Sequence, residues 1–184
     1  MRRIGRMVTG MRPDLTSRGG MLEGFDVSAD HDALQRLAEL AGRQPVVGAL
    51  IRDPAGRVFV HRRGWDRRLL PGCWDIVGGH VEAGETLLDA LAREVLEETG
   101  WRVVGSPRLI DINDWETTDN GAVHRRREFD FAVEVSGDLS APRLERPKHV
   151  EYRWIGSGDL PVLDENRRAD DDLIRRLVGL ALGG

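Results

Sequence analysis

The sequence predicts an α/β fold, a mixed sheet with helices packed on its faces, and three observations predict it. Short apolar or alternating runs of strand length recur along the chain. Three stretches with helical spacing of apolar residues lie among them. The third observation is punctuation: glycine and proline pairs sit where one element must end and the next begin.

Taken in order, residues 1–24 hold Gly5, Gly10, Pro13, Gly19, Gly20 and Gly24 with little periodicity and read as a disordered leader. Residues 25–44 read as an N-terminal helical extension, a helix from Ser28 to Gly42 with a stripe of Leu34, Leu37 and Leu40 beside Ala33, Ala38 and Ala41. Residues 45–184 then form the main domain. Val46–Ile51 and Val58–His61 flank the turn Asp53-Pro54-Ala55-Gly56 and read as a hairpin. Trp74–Val77 reads as a short strand, Gly78–Gly84 as a glycine-rich turn, and Glu85–Thr99 as a helix. That helix should bury Leu87, Leu88, Leu91, Val95 and Leu96 and stop at Gly100. Strands over 108–115 and 127–135 join through Asp119-Asn120-Gly121, a good hairpin turn. Glu151–Ile155 is a last strand, and Ala169–Leu182 a closing helix.

The chain has 184 residues, 40% of them hydrophobic and 32% charged, enough apolar material for one core under a charged surface. No apolar run reaches the ~18 residues a membrane helix needs. The single cysteine, Cys73, cannot close a disulfide within the chain, which fits a cytoplasmic protein. Net charge is −4 and Lys148 is the only lysine among many arginines. That balance does not suit a binder of nucleic-acid polymers, whereas a small anionic substrate met by local arginines suits it.

The chemistry concentrates in the central helix. Glu94, Glu97 and Glu98 stand at i, i+3 and i+4, on one face. Glu97 and Glu98 fall in the last turn, where the helix dipole is negative. Each carboxylate there costs about 0.3–1 kcal/mol, and mutual repulsion adds to it. Arg93 can pair with Glu97 and relieve one of the three. A divalent cation with oxygen ligands would neutralise the rest.

The surroundings of these glutamates have a pattern of their own. Gly79, then five residues to Glu85, then seven to Arg93-Glu94-Val95-Leu96-Glu97-Glu98-Thr99-Gly100-Trp101, resembles the Nudix box, Gly-x5-Glu-x7-Arg-Glu-U-x-Glu-Glu-x-Gly-U with U bulky and apolar. Its fixed positions would coincide by chance on the order of once per million chains of this size. Trp101 stands where the family usually has an aliphatic residue, and Val77 where many relatives have proline. The resemblance extends to Trp74–Glu85 and to Glu151-Tyr152-Arg153-Trp154-Ile155.

A Nudix chain would be an α/β/α sandwich with a mixed β-sheet and the box as loop–helix–loop. The resemblance implies a hydrolase of phosphoanhydride bonds, acting on a small-molecule diphosphate such as a nucleoside di- or triphosphate, or a nucleoside diphosphate linked to another group. It implies Mg²⁺ or Mn²⁺ as cofactor, held by Glu97, Glu98 and often Glu94 together with the Gly78 carbonyl. Glu85 and Arg93 would support these ligands. A carboxylate must also take a proton from the attacking water. Glu94 is the first choice, with Glu145, Glu151, Asp164 and Glu165 as alternatives.

Arg62, Arg63 and one of Arg125, Arg126 and Arg127, with Arg127 preferred, are candidates for the substrate phosphates. Trp65, Trp115 and Trp154 are placed as core-closing aromatics, His80 as a turn residue, and His61 and His124 as surface positions at strand ends. Two other readings stay open, a prenyl-diphosphate hydrolase or isomerase and a non-catalytic nucleotide-binding regulator. The helix before Pro45 suits a dimer arm as well as simple packing, so a homodimer also stays open.

Overall fold

A computed structural model describes residues 30–119 and 121–183. The leader read over 1–24 lies outside the described residues. From the extension, helix α1 (His31–Leu40) is described, capped by the Asp30 side chain on the Ala33 N–H at 3.1 Å. Of its leucine stripe only Leu34 packs inward, alongside the fully buried Ala38, while Leu40 is 85% exposed. The helix is too short and too far to one side to bury the whole stripe.

Strand β1 (Gln44–Ile51) is buried from its second residue onward, so both of its edges need partners. It finds them in β4 (Val77–His80), antiparallel, and β6 (Ala122–Ser136), parallel. Strand β5 (Arg102–Asp119) pairs with β6 and completes a four-stranded sheet in the order β4-β1-β6-β5. The expected hairpin between β1 and β2 (Val58–Arg63) reduces to one bridge, Arg52 to Val58. Strand β2 belongs to a second sheet, between β3 (Trp74–Asp75) and β7 (His149–Ile155). The stretch read as one strand over 74–77 is therefore split at Ile76. Its first half joins one sheet, and its second half runs on through Gly78, Gly79 and His80 in the other. The expected turn over Gly78–Gly84 starts later than its glycines suggest: Gly78, Gly79 and His80 are strand, and the turn follows them, ending at Gly84 with its left-handed φ of 88°.

Alternation along the central strands separates two cores. Val47, Ala49, Ile51 and Phe59 meet Ala38 of α1 and Leu87, Ala90, Leu91 and Val95 of α2 (Leu87–Thr99). Leu50, Val58 and Val60 face the other way, onto Trp74, Leu163 and the Ile174, Leu177 and Val178 face of α3 (Leu173–Gly183). A 3-10 helix over Ser157–Asp164 precedes α3, which starts later than the sequence suggests. The result is an α/β/α sandwich. No described helix is long and apolar enough to cross a membrane.

Between α3 and the four-stranded sheet lies a buried polar seam. Asn113 Nδ2 donates to Asp111 at 3.2 Å and to Asp130 at 2.8 Å, and Arg176 reaches Asp111 and Asn113 from α3. Glu128 accepts from the Trp115 indole at 2.8 Å. Burial, then the charge of Asp75, pushes the Glu128 carboxyl up to about 7, and burial beside Glu128 raises Asp130 as well.

An acid whose folded value is raised binds its proton more tightly in the native state. Its contribution is complete below the unfolded value of about 4.5 and is lost as pH climbs to about 7. Glu128→Gln keeps an acceptor for Trp115 and removes the titration. It should be more stable than the parent at pH 8, by on the order of 1 kcal/mol, with the gain vanishing at pH 4. Melting curves at the two pH values check this; an equal difference at both would assign the effect to packing.

Candidate active site

The box begins on an edge strand. β4 pairs with β1 on one side only, and the Gly78 N–H on its free side donates to Glu98 Oε2 at 3.1 Å. In a strand the carbonyl of a residue points the same way as its N–H, so the Gly78 carbonyl faces that edge too. Glycine is required here by proximity. A Cβ at Gly79 would lie 2.1 Å from Glu94 Oε1, and one at Gly78 would lie 2.3 Å from the Val47 carbonyl oxygen.

Helix α2 starts at a capping box. The Thr86 hydroxyl accepts from the Asp89 N–H at 3.1 Å while the Asp89 carboxylate accepts from the Thr86 N–H at 3.2 Å. The helix ends at Gly100, whose φ of 76° is left-handed. Glu85 thus precedes the helix rather than opening it. The inward face is Leu87, Ala90, Leu91, Glu94, Val95, Glu98 and Thr99, so two glutamates lie where the sequence suggested Leu88 and Leu96. Those two leucines are partly exposed. Glu97 stands on the exposed flank, 3.5 Å from Arg93.

Arg93 ties these parts together. Its guanidinium donates to both Glu85 oxygens at 2.7 and 2.9 Å, to Glu94 Oε1 at 2.7 Å, and to the His80 carbonyl at 3.0 Å. The pairing holds the Glu85 carboxyl down at about 2 and raises the guanidinium further above its ordinary value. Glu85 also anchors α1 through its carbonyl, which accepts from Gln35 Nε2 at 3.0 Å.

Glu98 is 1% exposed and lies where both sheets and α2 converge. Lys148 Nζ is 2.6 Å from its Oε1. His61 of β2 and His149 of β7 each bring Nε2 to 3.8 Å from the carboxylate. The two imidazoles stack face to face, centroids 3.5 Å apart. Burial drives both rings to low values, about 3 for His61 and about 2 for His149, so both are neutral at pH 7. Burial also pushes Glu98 up to about 7 in spite of Lys148 and the Gly78 N–H. His61, His149 and Lys148 escaped the sequence reading, and His61 is a buried residue rather than a surface one. Its one sequence signal is alternation, since it lies two residues beyond Phe59 on the core-facing side.

A divalent cation fits these residues. Glu94 Oε2 is buried with no hydrogen-bond partner among the described residues, and burial holds the Glu98 carboxyl toward neutrality although Lys148 and the Gly78 N–H oppose it. Oxygen donors from Glu94, Glu98 and the Gly78 carbonyl face one edge, with Glu97 on its solvent side. The imidazole nitrogens of His61 and His149 and Glu98 oxygen also lie within 4.8 Å of one another.

The arginines differ in what they already hold. Arg62 is ion-paired with Glu165 and Glu151 and lies over Trp74 at 4.5 Å. Arg63 donates to Asp75 at 3.1 Å and to the Leu69 carbonyl at 3.0 Å. Arg127 grips Asp114 with two bonds of 2.7 and 2.8 Å. Among the described residues Arg126, on the opposite face of β6, bonds only neutral groups: the His80 ring at 2.9 Å, the Thr117 hydroxyl at 2.6 Å and, weakly, the His124 carbonyl at 3.5 Å. It also covers Trp115 at 4.8 Å. Trp154 packs against Phe59 and Trp101 in the core, while Trp65 is exposed. Cys73 is buried, its thiol raised by burial, and it has no nucleophile's surroundings.

The NUDIX domain family model matches residues 42–177. The nucleoside triphosphatase NudI of Escherichia coli strain K12 / DH10B is 32% identical over 145 residues, covering 75% of this chain and 98% of that protein. The RNA pyrophosphohydrolase of Afipia carboxidovorans is 29% identical over 134 residues, covering 64% of this chain and 80% of that one. Among solved structures, a NUDIX hydrolase from Nitrosomonas europaea superposes with a TM-score of 0.60 at 22% identity, covering 77% of this chain and 90% of the other.

Proposed function

The chain belongs to the Nudix family and is a Nudix hydrolase, and from that premise we propose that it uses Mg²⁺ or Mn²⁺ to hydrolyse a phosphoanhydride bond in a nucleoside triphosphate or a related nucleoside diphosphate derivative. The observation that carries the reading is the pair of inward carboxylates, Glu94 and Glu98, against the free edge of Gly78-Gly79. These groups, with Glu97 beside them, would hold the cation, which when bound screens the phosphate charge and acidifies a water.

The protein's own groups supply the rest. Arg93 fixes Glu94 by one carboxylate oxygen and leaves Oε2 without a partner, open either to the cation or to the proton of the attacking water. The other candidates for that role are already engaged. Glu145 pairs with Lys148, Glu151 and Glu165 with Arg62, and Asp164 with Arg175. For the substrate phosphates Arg126 is better placed than Arg62, Arg63 or Arg127, since it alone of the four has no carboxylate among its described partners. It reaches the box through His80, whose backbone carbonyl is in turn bonded by Arg93.

Turnover of nucleoside triphosphates, nucleotide sugars, ADP-ribose, 5′-triphosphorylated RNA and prenyl diphosphates, each with Mg²⁺ and Mn²⁺ and with products identified, tests the reading. Release of phosphate or pyrophosphate from a nucleotide supports it. Absence of metal-dependent turnover on every nucleotide would overturn it. Arg126→Ala should raise KM for the preferred nucleotide about tenfold or more while changing kcat less. A fall in kcat with KM constant would instead place Arg126 in transition-state stabilisation.

A further inference from the structure

Lys148, the only lysine in the chain, is built into its position from both sides. The turn that carries it is closed by the His149 N–H on the Glu145 carbonyl at 2.8 Å, and its own carbonyl accepts from the Gly64 N–H at 2.9 Å. The ammonium lies 2.6 Å from Glu98 and 3.0 Å from Glu145. Glu98 is sealed from water, whereas Glu145 is 45% exposed, so the lysine spans from the buried carboxylate to the solvent rim.

We propose that Lys148 is a tethered cation that holds the Glu98 carboxylate while no divalent ion is bound there, and that it gives up Glu98 to such an ion and turns to the anionic substrate. This rests on the metal-dependent hydrolysis proposed above. The argument is one of charge and reach. An ion on either oxygen of Glu98, at a bond length of about 2.1 Å, would be within roughly 7 Å of an ammonium that stayed in place. The two neutral imidazoles lie beside that path with Glu145 at its rim, and at so short a separation the repulsion between the two cations is substantial. A lysine has a flexible stem of four carbons and can move away. Glu145 gives it a second anionic partner at the rim, where a phosphate would approach.

The proposal requires Lys148 to oppose metal binding in the free protein and to favour substrate in the loaded one. Mn²⁺ binding to the full-length protein without nucleotide, read by the free-ion electron paramagnetic resonance signal, gives the first half. Lys148→Met, which keeps the stem and removes the charge, should bind Mn²⁺ about tenfold more tightly than the parent. Lys148→Arg should stay close to the parent. In turnover, Lys148→Met should raise KM for a nucleoside triphosphate about tenfold with a smaller change in kcat, and Lys148→Arg should restore much of it.

Unchanged or weaker Mn²⁺ binding in Lys148→Met would overturn the proposal and make the lysine a structural support of Glu98. Tighter metal binding with KM unchanged would overturn the substrate half. If Lys148→Met fails to fold, Lys148→Gln is read by the same criteria. A parent protein that binds no Mn²⁺ and turns over no nucleotide would instead sink the metal-dependent reading itself, with this inference falling alongside it.

Discussion

Glu98→Gln is expected to lose at least about a hundredfold in turnover while the protein keeps its fold. The loss follows from removing a buried anionic oxygen donor at the one place where β4, α2 and the His61–His149 stack converge. Retention of the fold follows from the same burial. Burial already pushes the Glu98 carboxyl up to about 7, so a neutral amide of the same shape replaces a group whose charge the fold tolerates poorly. The amide oxygen can still accept from the Gly78 N–H or from Lys148. Steady-state turnover and thermal melting, measured together on the metal-free and the Mg²⁺-containing protein, check both halves. Near-normal turnover would contradict the role of Glu98, and loss of the melting transition would show that Glu98 is needed for folding.

Arg93→Met should be more damaging to the structure than Glu98→Gln, and comparably damaging to activity. Arg93 is the only described cation that contacts Glu85 and Glu94 together, and it also bonds the His80 carbonyl. Without it Glu94 is a buried carboxylate with neither oxygen satisfied. Removing one partner of such a pair costs about 3–5 kcal/mol when both are fully buried. Arg93 is 23% exposed, so we expect roughly 2–3 kcal/mol. Turnover should fall at least about tenfold, because Glu94 would no longer be held at one oxygen and open at the other. Denaturant unfolding measures the first effect. A variant as stable as the parent would mean that water reaches Glu94 and satisfies its oxygens in place of Arg93.

Much of the site was legible in the sequence because it is local. Gly79, Glu85, Arg93, Glu94, Glu97 and Glu98 lie within one loop and one helix, so spacing alone brings them near each other. Gly100 as the terminator and the Gly121 hairpin were legible for the same reason, since each depends on a backbone angle that few other residues adopt. What was not legible depends on pairing across long separations. β1 and β2 look like a hairpin because a good turn joins them. They part because β1 is claimed on both edges by strands whose paired residues lie 28 or more positions further on.

Likewise, nothing near His61 announces His149 or Lys148, which meet it only once β2 pairs with β7. Alternation could say that Arg126 and Arg127 point to opposite faces of β6. It could not say that Asp114 was waiting for one of them and a neutral ring for the other. The leucines of α2 misled for a related reason. A helix pattern identifies an apolar stripe, but Glu94 and Glu98 displaced Leu88 and Leu96 from the inward face, and only the site explains why glutamates are buried there.

The parting of the two sheets has a mechanical corollary. Glu98 is touched by the edge of one sheet through Gly78 and by the other through His61, His149 and the turn before β7, so a single carboxylate fastens the seam between them. Any sliding of one sheet over the other would stretch these contacts. On the function proposed for Glu98, rigidity of the frame and readiness for chemistry would be one property, and a substitution far from the box that loosened this junction should register as lost activity before it registers as lost structure.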